Sequence, residues 1–245
     1  MKLSVIIPAY NEEKRLGQTL SKVSDYLRGQ NYDYEIMVVN DGSRDGTADL
    51  VRDLILAIPN LKLIDIQINR GKGFVVKTGM LTATGDYRLF MDADGSTPID
   101  QVEKLLFYLE AGYDIAIGSR RVKGADVKVD QPWYRLFLGW TFRTIVQIIV
   151  PLGVKDSQNG FKIFTAQAAQ EIFPRQTIFC WAFDVEILAL ARKLKFKIKE
   201  VPIVWVNDKE SRVTLKGMIN MLWEVFTIRF NFWIGRYGQL GKPRK

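Results

Sequence analysis

The chain has 245 residues, of which 47% are hydrophobic and 25% are charged, with no histidine and one cysteine. This length and composition suit one α/β domain with appendages, or two small domains, and exclude wholesale disorder. Without histidine there is no Ser-His-Asp triad, no Cys-His dyad and no histidine-bound zinc. The lone Cys180 excludes an internal disulfide and a cysteine-rich metal site, and fits a reducing compartment. Any chemistry must therefore depend on carboxylates, lysines, arginines or a metal held by oxygen.

The positive charge of the chain is concentrated at its C-terminal end. Residues 191–245 contain 13 Lys and Arg against 4 Asp and Glu, whereas residues 1–190 contain 22 against 23. A basic C-terminal segment in an otherwise nearly neutral chain indicates an anionic partner, either a nucleic acid or a membrane surface. The first apolar stretch is too short for a signal peptide, and no apolar run reaches the ~18–20 residues of a membrane-spanning helix. We therefore expect neither classical secretion nor a membrane crossing.

Short apolar runs alternate with amphipathic stretches through the first half of the chain. The predicted strands are Leu3–Ile7, Glu35–Val39, Leu61–Ile66, Tyr87–Met91 and Ile115–Ile117. The predicted helices lie around Leu16–Arg28, Ala48–Ile58, Gly73–Ala83 and Ile99–Leu109. This alternation predicts a doubly wound, mostly parallel sheet, in which ligands bind beyond the carboxyl ends of the strands.

Polar loops follow four of the predicted strands. They are Pro8–Glu12, Asn40–Thr47, Asn69–Gly73 and Asp92–Gly95. Each loop alone fits an ordinary turn or helix cap. Four such loops at one edge of a sheet predict a binding site instead.

The most informative of these loops contains Asp92 and Asp94, two residues apart directly after a strand. Two carboxylates in this position can direct oxygens at a hard divalent cation that bridges a diphosphate. Mg²⁺ or Mn²⁺ bound there would neutralise charge on a leaving nucleotide. The pair predicts a metal-assisted transfer from a nucleotide donor.

Taken in order, the motifs resemble those of the family-2 glycosyltransferases with the GT-A nucleotide-sugar-binding fold, and more closely the polyprenyl-phosphate (dolichyl-phosphate) hexosyltransferases. The resemblance rests on Pro8–Glu12, Val38–Thr47, Asn69–Gly73, Asp92–Thr97, Gly118–Arg121, Asp156–Lys162 and Phe183–Glu186. Asp92–Thr97 is similar to the dolichyl-phosphate glucosyltransferase branch, because the mannosyltransferase branch typically carries Leu-Ser-His after the second Asp. Eukaryotic glucosyl enzymes begin with a membrane helix, so the likeness is to their catalytic portion.

The resemblance implies a role for each matching residue on the donor side. The nucleotide base and ribose would be held by Pro8, Tyr10, Glu12 and Asp41. The metal would be held by Asp92 and Asp94, while the sugar diphosphate would be approached by Lys72 and Arg212. The sugar pocket would be bordered by Gln158 and Asn159.

On the acceptor side the resemblance implies that Arg120 and Arg135 meet a phosphate and that Asp156 orients the sugar or the acceptor. A phosphate monoester has a second pKa of about 6, so it already carries a nucleophilic oxyanion near neutral pH. The absence of histidine is therefore compatible with transfer that uses no strong base. A carboxylate base, Asp156 or Asp184, is the alternative.

Two later segments, Trp133–Val150 and Leu215–Ile234, are apolar and aromatic apart from a narrow polar stripe. A helix of this kind lies either in the core or in a membrane interface. The flanking arginines and the basic tail favour the interface, because tryptophan prefers the depth of the headgroups and cations are drawn to anionic lipid. Lys193–Lys199, where lysine alternates with apolar residues, predicts a turn that enters a half-solvated strand.

We expect a GT-A catalytic domain over residues 1–213, with an amphipathic helical segment inserted at about 132–152, and a C-terminal interfacial helix and basic tail over 214–245. The favoured function is inverting transfer of a hexose, glucose from UDP-glucose, to a polyprenyl or dolichyl phosphate. The enzyme would act as a peripheral or monotopic protein on the cytoplasmic face of an anionic membrane.

Two alternatives remain open. The first is mannose transfer from GDP-mannose to dolichyl phosphate, and the second is transfer to a soluble or polysaccharide acceptor. A third interpretation, a non-enzymatic nucleic-acid-binding protein, is prompted by the isoelectric point near 9.5 but fails. Nucleic acid is not an expected partner, because Asp92 and Asp94 would repel a phosphate backbone.

Overall fold

The computed structural model describes residues 1–128, 133–206 and 215–239, with the backbone alone at 133–138, 215, 216, 218 and 239. The strands are β1 (Lys2–Ala9), β2 (Asp33–Asp41), β3 (Leu61–Ile66), β4 (Tyr87–Met91), β5 (Ile115–Ser119), β6 (Asp126–Lys128), β7 (Phe161–Thr165), β8 (Ile198–Pro202) and β9 (Val204–Val206). The helices are α1 (Glu13–Arg28), α2 (Thr47–Ile55), α3 (Lys72–Thr82), α4 (Val102–Glu110), α5 (Trp133–Ile149), α6 (Ala166–Ile172), α7 (Phe183–Lys193), α8 (Leu215–Trp233) and α9 (Arg236–Gln239).

Seven strands form one sheet in the order β3-β2-β1-β4-β7-β5-β8. Its neighbouring strands are parallel, except that β7 runs antiparallel to both β4 and β5. The short strands β6 and β9 form a separate parallel pair. The predicted doubly wound, mostly parallel sheet is confirmed, and each of the five predicted strands lies within it.

The sheet is buried between two layers of helices. Successive residues of a strand point to opposite faces, so β1 contributes to both cores. Val5 and Ile7 pack with α1, α2 and α4, whereas Ile6 packs on the other side with α3, α6 and α7. Burial of both faces explains why β1 and β2 read as continuous apolar runs rather than as alternating ones.

Helices α5 and α8 each pack one face against the core and expose the other. Phe142 and Val146 of α5 are buried, and so are Val225 and Ile228 of α8. The large apolar side chains that these helices expose, among the described residues, are Trp140, Ile148, Ile219, Trp223, Phe226, Phe230 and Trp233. Both helices therefore lie partly in the core. From the sequence, the core and a membrane interface were the two alternatives for these segments. Among the described residues, no helix is long and apolar enough to cross a membrane.

The second half of the chain holds the elements that the pattern of apolar residues did not predict, namely β6, β7, β9, α6 and α7. The turn expected within Lys193–Lys199 is confirmed, since Lys195 has a φ of 65° and β8 begins at Ile198. The boundary expected between residues 213 and 214 falls outside the described residues. The division into a catalytic domain and a C-terminal helix with a tail stays a prediction.

Candidate active site

Most of the predicted site residues that the structure describes lie at one edge of the sheet. The strands β1, β2, β4 and β5 end there, and β7 begins there because it runs in the opposite direction. The backbone N–H of Asp92, just after β4, donates to the carbonyl of Gly160, just before β7, at 3.1 Å. This reversal explains how Gln158 and Asn159 reach the same edge as Asp92 although they precede a strand instead of following one.

Asp41, the last residue of β2, fixes the loop that leads into α3. Its carboxylate is buried and accepts hydrogen bonds from the backbone N–H groups of Arg70 at 2.7 Å and Gly71 at 2.9 Å. Burial raises the pKa of Asp41, although these two hydrogen bonds work against the rise. Gly71 has a φ of 97°, and a Cβ there would lie 2.4 Å from the carbonyl oxygen of Phe179. The loop can take this path only with glycine at position 71.

The residues after β1 form the neighbouring wall of the site. Pro8 is buried within β1, while Tyr10 follows the strand and is partly exposed. The Glu12 carboxylate pairs with the guanidinium of Arg15, and the Glu12 backbone N–H donates to Thr47 Oγ1 at 2.8 Å. Pro8, Tyr10, Glu12 and Asp41 thus lie at the ends of two adjacent strands.

Asp92 lies in a tightly confined position. Its Oδ1 accepts a hydrogen bond from Lys72 Nζ at 2.5 Å, and this ion pair joins the end of β4 to the first residue of α3. A Cβ on Gly160 would lie 2.1 Å from Asp92 Oδ2, so any side chain at position 160 would displace this carboxylate. Burial alone would lower the pKa of Lys72, but Asp92 and Asp184 outweigh it and raise the pKa.

Asp94 is held on the same loop by the backbone N–H of Ser96, which donates to its Oδ1 at 2.9 Å. Burial and the charge of Asp92 together raise the pKa of Asp94, as expected for two carboxylates that share a site. The Asp94 loop packs on α1, because Thr19 Oγ1 donates to the Ala93 carbonyl at 2.8 Å. The two carboxylates therefore present oxygens at the sheet edge on a fixed backbone.

The donor set at this edge suits a magnesium or manganese ion that completes its coordination with substrate and water. Among the described residues no group of three or more Asp, Glu or Cys side chains could hold a metal alone. Mg²⁺ is usually held by one or two carboxylates together with substrate phosphates. The ammonium of Lys72 at Asp92 Oδ1 shows that this carboxylate oxygen faces a positively charged group.

Arg120 and Asp156 form a second charged group on the far side of β7. Arg120 follows β5, and its Nε and Nη2 donate to the two oxygens of Asp156, each at 2.8 Å. The ring of Trp205 lies against the guanidinium, 5.1 Å from its carbon, and Glu200 accepts from the Asp156 backbone N–H at 2.9 Å. Burial alone would raise the pKa of Asp156, but Arg120 outweighs it and lowers the pKa. A carboxylate in this state suits orientation of an arginine better than proton abstraction.

A buried ion pair between Lys162 and Asp184 lies below the edge. Lys162 in β7 is fully buried, and its Nζ donates to Asp184 Oδ1 at 2.5 Å and to the carbonyl of Asn159. Burial lowers the pKa of Lys162. Sequence reasoning considered Asp184 only as a possible base and did not single out Lys162. The available signal was a lysine set between Phe161 and Ile163 in an otherwise apolar strand.

A strap formed by residues 176–182 covers the start of α3 and connects it to α7 and α8. The carbonyl of Phe179 accepts from the backbone N–H of Gly73 at 2.7 Å. The buried Glu186 carboxylate accepts from the strap at Thr177 and Ile178, and Glu224 of α8 accepts from the Ala182 N–H at 2.9 Å. Sequence reasoning missed the strap, whose contacts join residues far apart in the chain.

Of the remaining predicted residues, Gln158 is described by the structure, whereas Arg212 and the side chain of Arg135 are not. Gln158 is partly exposed and its side-chain amide donates to the sulfur of Met221 on α8 at 3.3 Å. Arg135 lies near the beginning of α5, but its side chain is outside the described part of the chain. Arg212 also lies outside the described residues. The predicted donor residues that the structure describes thus all lie at this edge of the sheet, and Arg120 pairs with Asp156 on the acceptor side.

Comparison with known proteins gives a consistent result. The model of the family described as Glycosyl transferase family 2 matches residues 4–173. A dolichyl-phosphate beta-glucosyltransferase of Dictyostelium discoideum is 39% identical over 246 residues, which cover 95% of this chain and 75% of that protein. The protein of the same name from Homo sapiens is 32% identical over 262 residues, which cover 100% of this chain and 79% of that protein.

Solved structures show the fold. Glucosyl-3-phosphoglycerate synthase from Mycobacterium tuberculosis, crystallised with Mn²⁺, UDP-glucose and phosphoglyceric acid, has a TM-score of 0.71 at 17% identity, covering 97% of this chain and 80% of that one. This likeness confirms the GT-A fold that the motifs predicted. Because the family model matches well over half of the chain, and relatives above 30% identity extend over nearly all of it, the chain belongs to glycosyl transferase family 2.

Proposed function

We propose that the protein transfers glucose from UDP-glucose to a polyprenyl phosphate, dolichyl phosphate in a eukaryotic membrane, with inversion at the sugar. The observation that carries this proposal is the placement of Asp92 and Asp94 on one side of the edge and Arg120 on the other. Asp92 follows β4 and Arg120 follows β5, and β7 alone lies between these two strands in the sheet. Relatives at 32–39% identity bear the name dolichyl-phosphate beta-glucosyltransferase.

On the donor side, Asp92 and Asp94 would hold Mg²⁺ or Mn²⁺, which when bound would neutralise charge on the leaving diphosphate. The ammonium of Lys72 lies beside this pair and would bind a diphosphate oxygen. Pro8, Tyr10, Glu12 and Asp41 would form the walls of the nucleotide pocket at the ends of β1 and β2. Gln158 and Asn159, at the beginning of β7, would border the sugar.

On the acceptor side, Arg120 would bind the incoming phosphate. Its guanidinium is a rigid fork that stays charged and matches phosphate oxygens. The buried Asp156 holds that fork in one orientation through two hydrogen bonds. Arg135 and Arg212 are assigned to the acceptor and donor phosphates by family resemblance alone. A phosphate acceptor supplies its own nucleophilic oxyanion, so the site needs to bring two anions together rather than to remove a proton.

The lipid acceptor requires a membrane surface, and the exposed faces of α5 and α8 are suited to one. Trp223 and Trp233 are 70% and 80% exposed on α8, with Phe226 and Phe230 on the same helix. Arg229 lies among them and lines a shallow cavity of about 400 Å³ with Phe226, Phe230, Phe232 and Trp233. Exposed aromatic side chains beside a cation are typical of interfacial helices on anionic membranes. Attachment to the cytoplasmic face would give access to a nucleotide sugar.

The test is a product assay with purified protein, Mn²⁺ and a panel of donors and acceptors. We expect UDP-glucose and polyprenyl phosphate to give a glucosylated lipid phosphate, identified by mass spectrometry, and we expect excess EDTA to abolish it. GDP-mannose as the preferred donor would contradict the choice of sugar. Glucosylation of 3-phosphoglycerate without any lipid product would contradict the acceptor and favour a soluble phosphate instead.

A further inference from the structure

Lys72 and the metal site share one carboxylate oxygen. Lys72 Nζ lies 2.5 Å from Asp92 Oδ1, and Asp92 is one of the two carboxylates assigned to the cation. Both side chains are partly exposed at this oxygen. The backbone at the start of α3 is held by the strap contact between Gly73 and Phe179, whereas the Lys72 side chain can reorient from that fixed point.

We propose that Lys72 is a positioning residue that occupies Asp92 until a nucleotide diphosphate arrives, so that the metal and the nucleotide bind together. This inference rests on the proposed function, since it takes Asp92 and Asp94 as the metal ligands. A divalent cation that approaches Asp92 Oδ1 meets the ammonium of Lys72 at the same oxygen, and the two positive charges repel. The metal alone is therefore held weakly.

A diphosphate changes this balance because it offers Lys72 a second anionic partner. The ammonium can move from Asp92 to a phosphate oxygen, which would leave the Asp92 carboxylate oxygen available to hold the cation. Binding of each ligand improves binding of the other by the same factor, as linkage requires.

The test measures Mn²⁺ binding to the nucleotide-free protein, by the electron paramagnetic resonance signal of free Mn²⁺. Lys72→Met removes the charge and keeps the length of the side chain. We expect it to tighten Mn²⁺ binding about fivefold, the factor that corresponds to loss of one partly exposed ion pair. Lys72→Arg keeps the charge and should bind Mn²⁺ within about twofold of the unchanged protein. Lys22→Met, on the exposed face of α1, removes a lysine elsewhere and should leave binding unchanged.

A second measurement examines whether Lys72 binds the diphosphate of the nucleotide. Calorimetric titration of UDP in excess EDTA should show weaker binding to Lys72→Met than to the unchanged protein, because the diphosphate loses its cation. If Lys72→Met lowers the melting temperature markedly, Lys72→Gln takes its place in both measurements.

The inference is overturned if Lys72→Met binds Mn²⁺ no more tightly than the unchanged protein, or if Lys72→Arg tightens binding as much as Lys72→Met does. Failure of the underlying metal assignment gives a different result. In that case Asp94→Asn would bind Mn²⁺ with UDP present as tightly as the unchanged protein.

Discussion

The guanidinium of Arg120 binds both carboxylate oxygens of Asp156, and Asp156 is only 1% exposed. A general base works best when its pKa lies near the operating pH, and this pairing lowers the pKa of Asp156 away from that range. We therefore expect Asp156→Asn to reduce the transfer rate about 10²-fold through misplacement of Arg120. The acidic limb of the pH–rate profile should stay near pH ~6, where the acceptor phosphate ionises. Loss of that limb in Asp156→Asn would identify Asp156 as the base.

Replacement of Arg120 separates acceptor binding from donor binding. Lysine at position 120 keeps the charge but loses the planar fork that pairs with Asp156 and with phosphate. Arg120→Lys should depress kcat/KM for the lipid acceptor at least about tenfold and leave UDP binding by calorimetry nearly unchanged. Arg121→Lys is the matched control, because Arg121 is the exposed neighbour in the chain. If Arg120→Lys weakened UDP binding by the same factor as it lowers kcat/KM for the acceptor, Arg120 would instead bind the donor.

Gly160→Ala tests the confinement of Asp92. The added methyl group would lie 2.1 Å from Asp92 Oδ2, so the carboxylate must leave its position. We expect activity to fall about 10²-fold and the Mn²⁺ concentration for half-maximal rate to rise. Gly17→Ala in α1 is the control, since its Cβ would meet Leu50 at an ordinary 3.8 Å. Helix propensity should make that variant about 0.5–1 kcal/mol more stable. An unaltered Mn²⁺ requirement in Gly160→Ala would show that Asp92 is not a ligand.

Glu35, which lies outside the candidate site, allows a prediction of how the free energy of unfolding depends on pH. Burial alone would raise its pKa, but hydrogen bonds from Lys62, Ser4 and Thr84 outweigh burial and lower the pKa to about 2. Since this folded-state pKa lies below the unfolded value of about 4.3, protonation favours unfolding. The stabilisation, up to about 3 kcal/mol, is complete above about pH 5 and is lost as the pH falls toward 2.

Glu35→Gln should therefore lower the free energy of unfolding at pH 7, and the difference should shrink at pH 3. Urea unfolding at several pH values measures both effects. Glu110→Gln, at the exposed end of α4, should leave the curve unchanged. A Glu35→Gln variant whose deficit stays constant between pH 7 and pH 3 would contradict the lowered pKa.

The two faces of α5 and α8 predict opposite outcomes for the same kind of substitution. Ile148→Ser and Trp233→Ser change side chains that are 76% and 80% exposed, so both variants should fold normally. Each should sediment less with anionic liposomes, and the blue shift of tryptophan fluorescence on binding should weaken. Phe142→Ser and Val146→Ser change buried side chains and should cost about 2–5 kcal/mol of stability. Full liposome binding by a combined Ile148→Ser and Trp233→Ser variant would rule out this surface as the membrane contact.

The first half of the fold was predictable because each strand there is a short apolar run between polar loops. The order of Asp41, Asp92 and Arg120 along the chain placed them at strand ends, and parallel topology brought those ends together. β7 escaped prediction because Lys162 interrupts its apolar run, and the reason for that lysine, Asp184, lies 22 residues further along. The pairing of Arg120 with Asp156 spans 36 residues and depends on the direction of β7. Contacts of this range arise from the tertiary fold, which local patterns do not encode.

Because β7 runs antiparallel to β5, these two neighbouring strands are joined like a hairpin by one long loop. That loop contains α5. Ile117 pairs with Lys162, so the two strands are held together by their own hydrogen-bonded ladder. On the other side, Met91 pairs with Phe161 and keeps Asp92 beside Gly160. The loop therefore begins at Arg120 and ends at Gly160, and the pairing of β5, β7 and β4 sets how far Arg120 lies from Asp92. The spacing between the groups that we propose for the acceptor and for the metal is thus determined by backbone pairing, not by the helix between them.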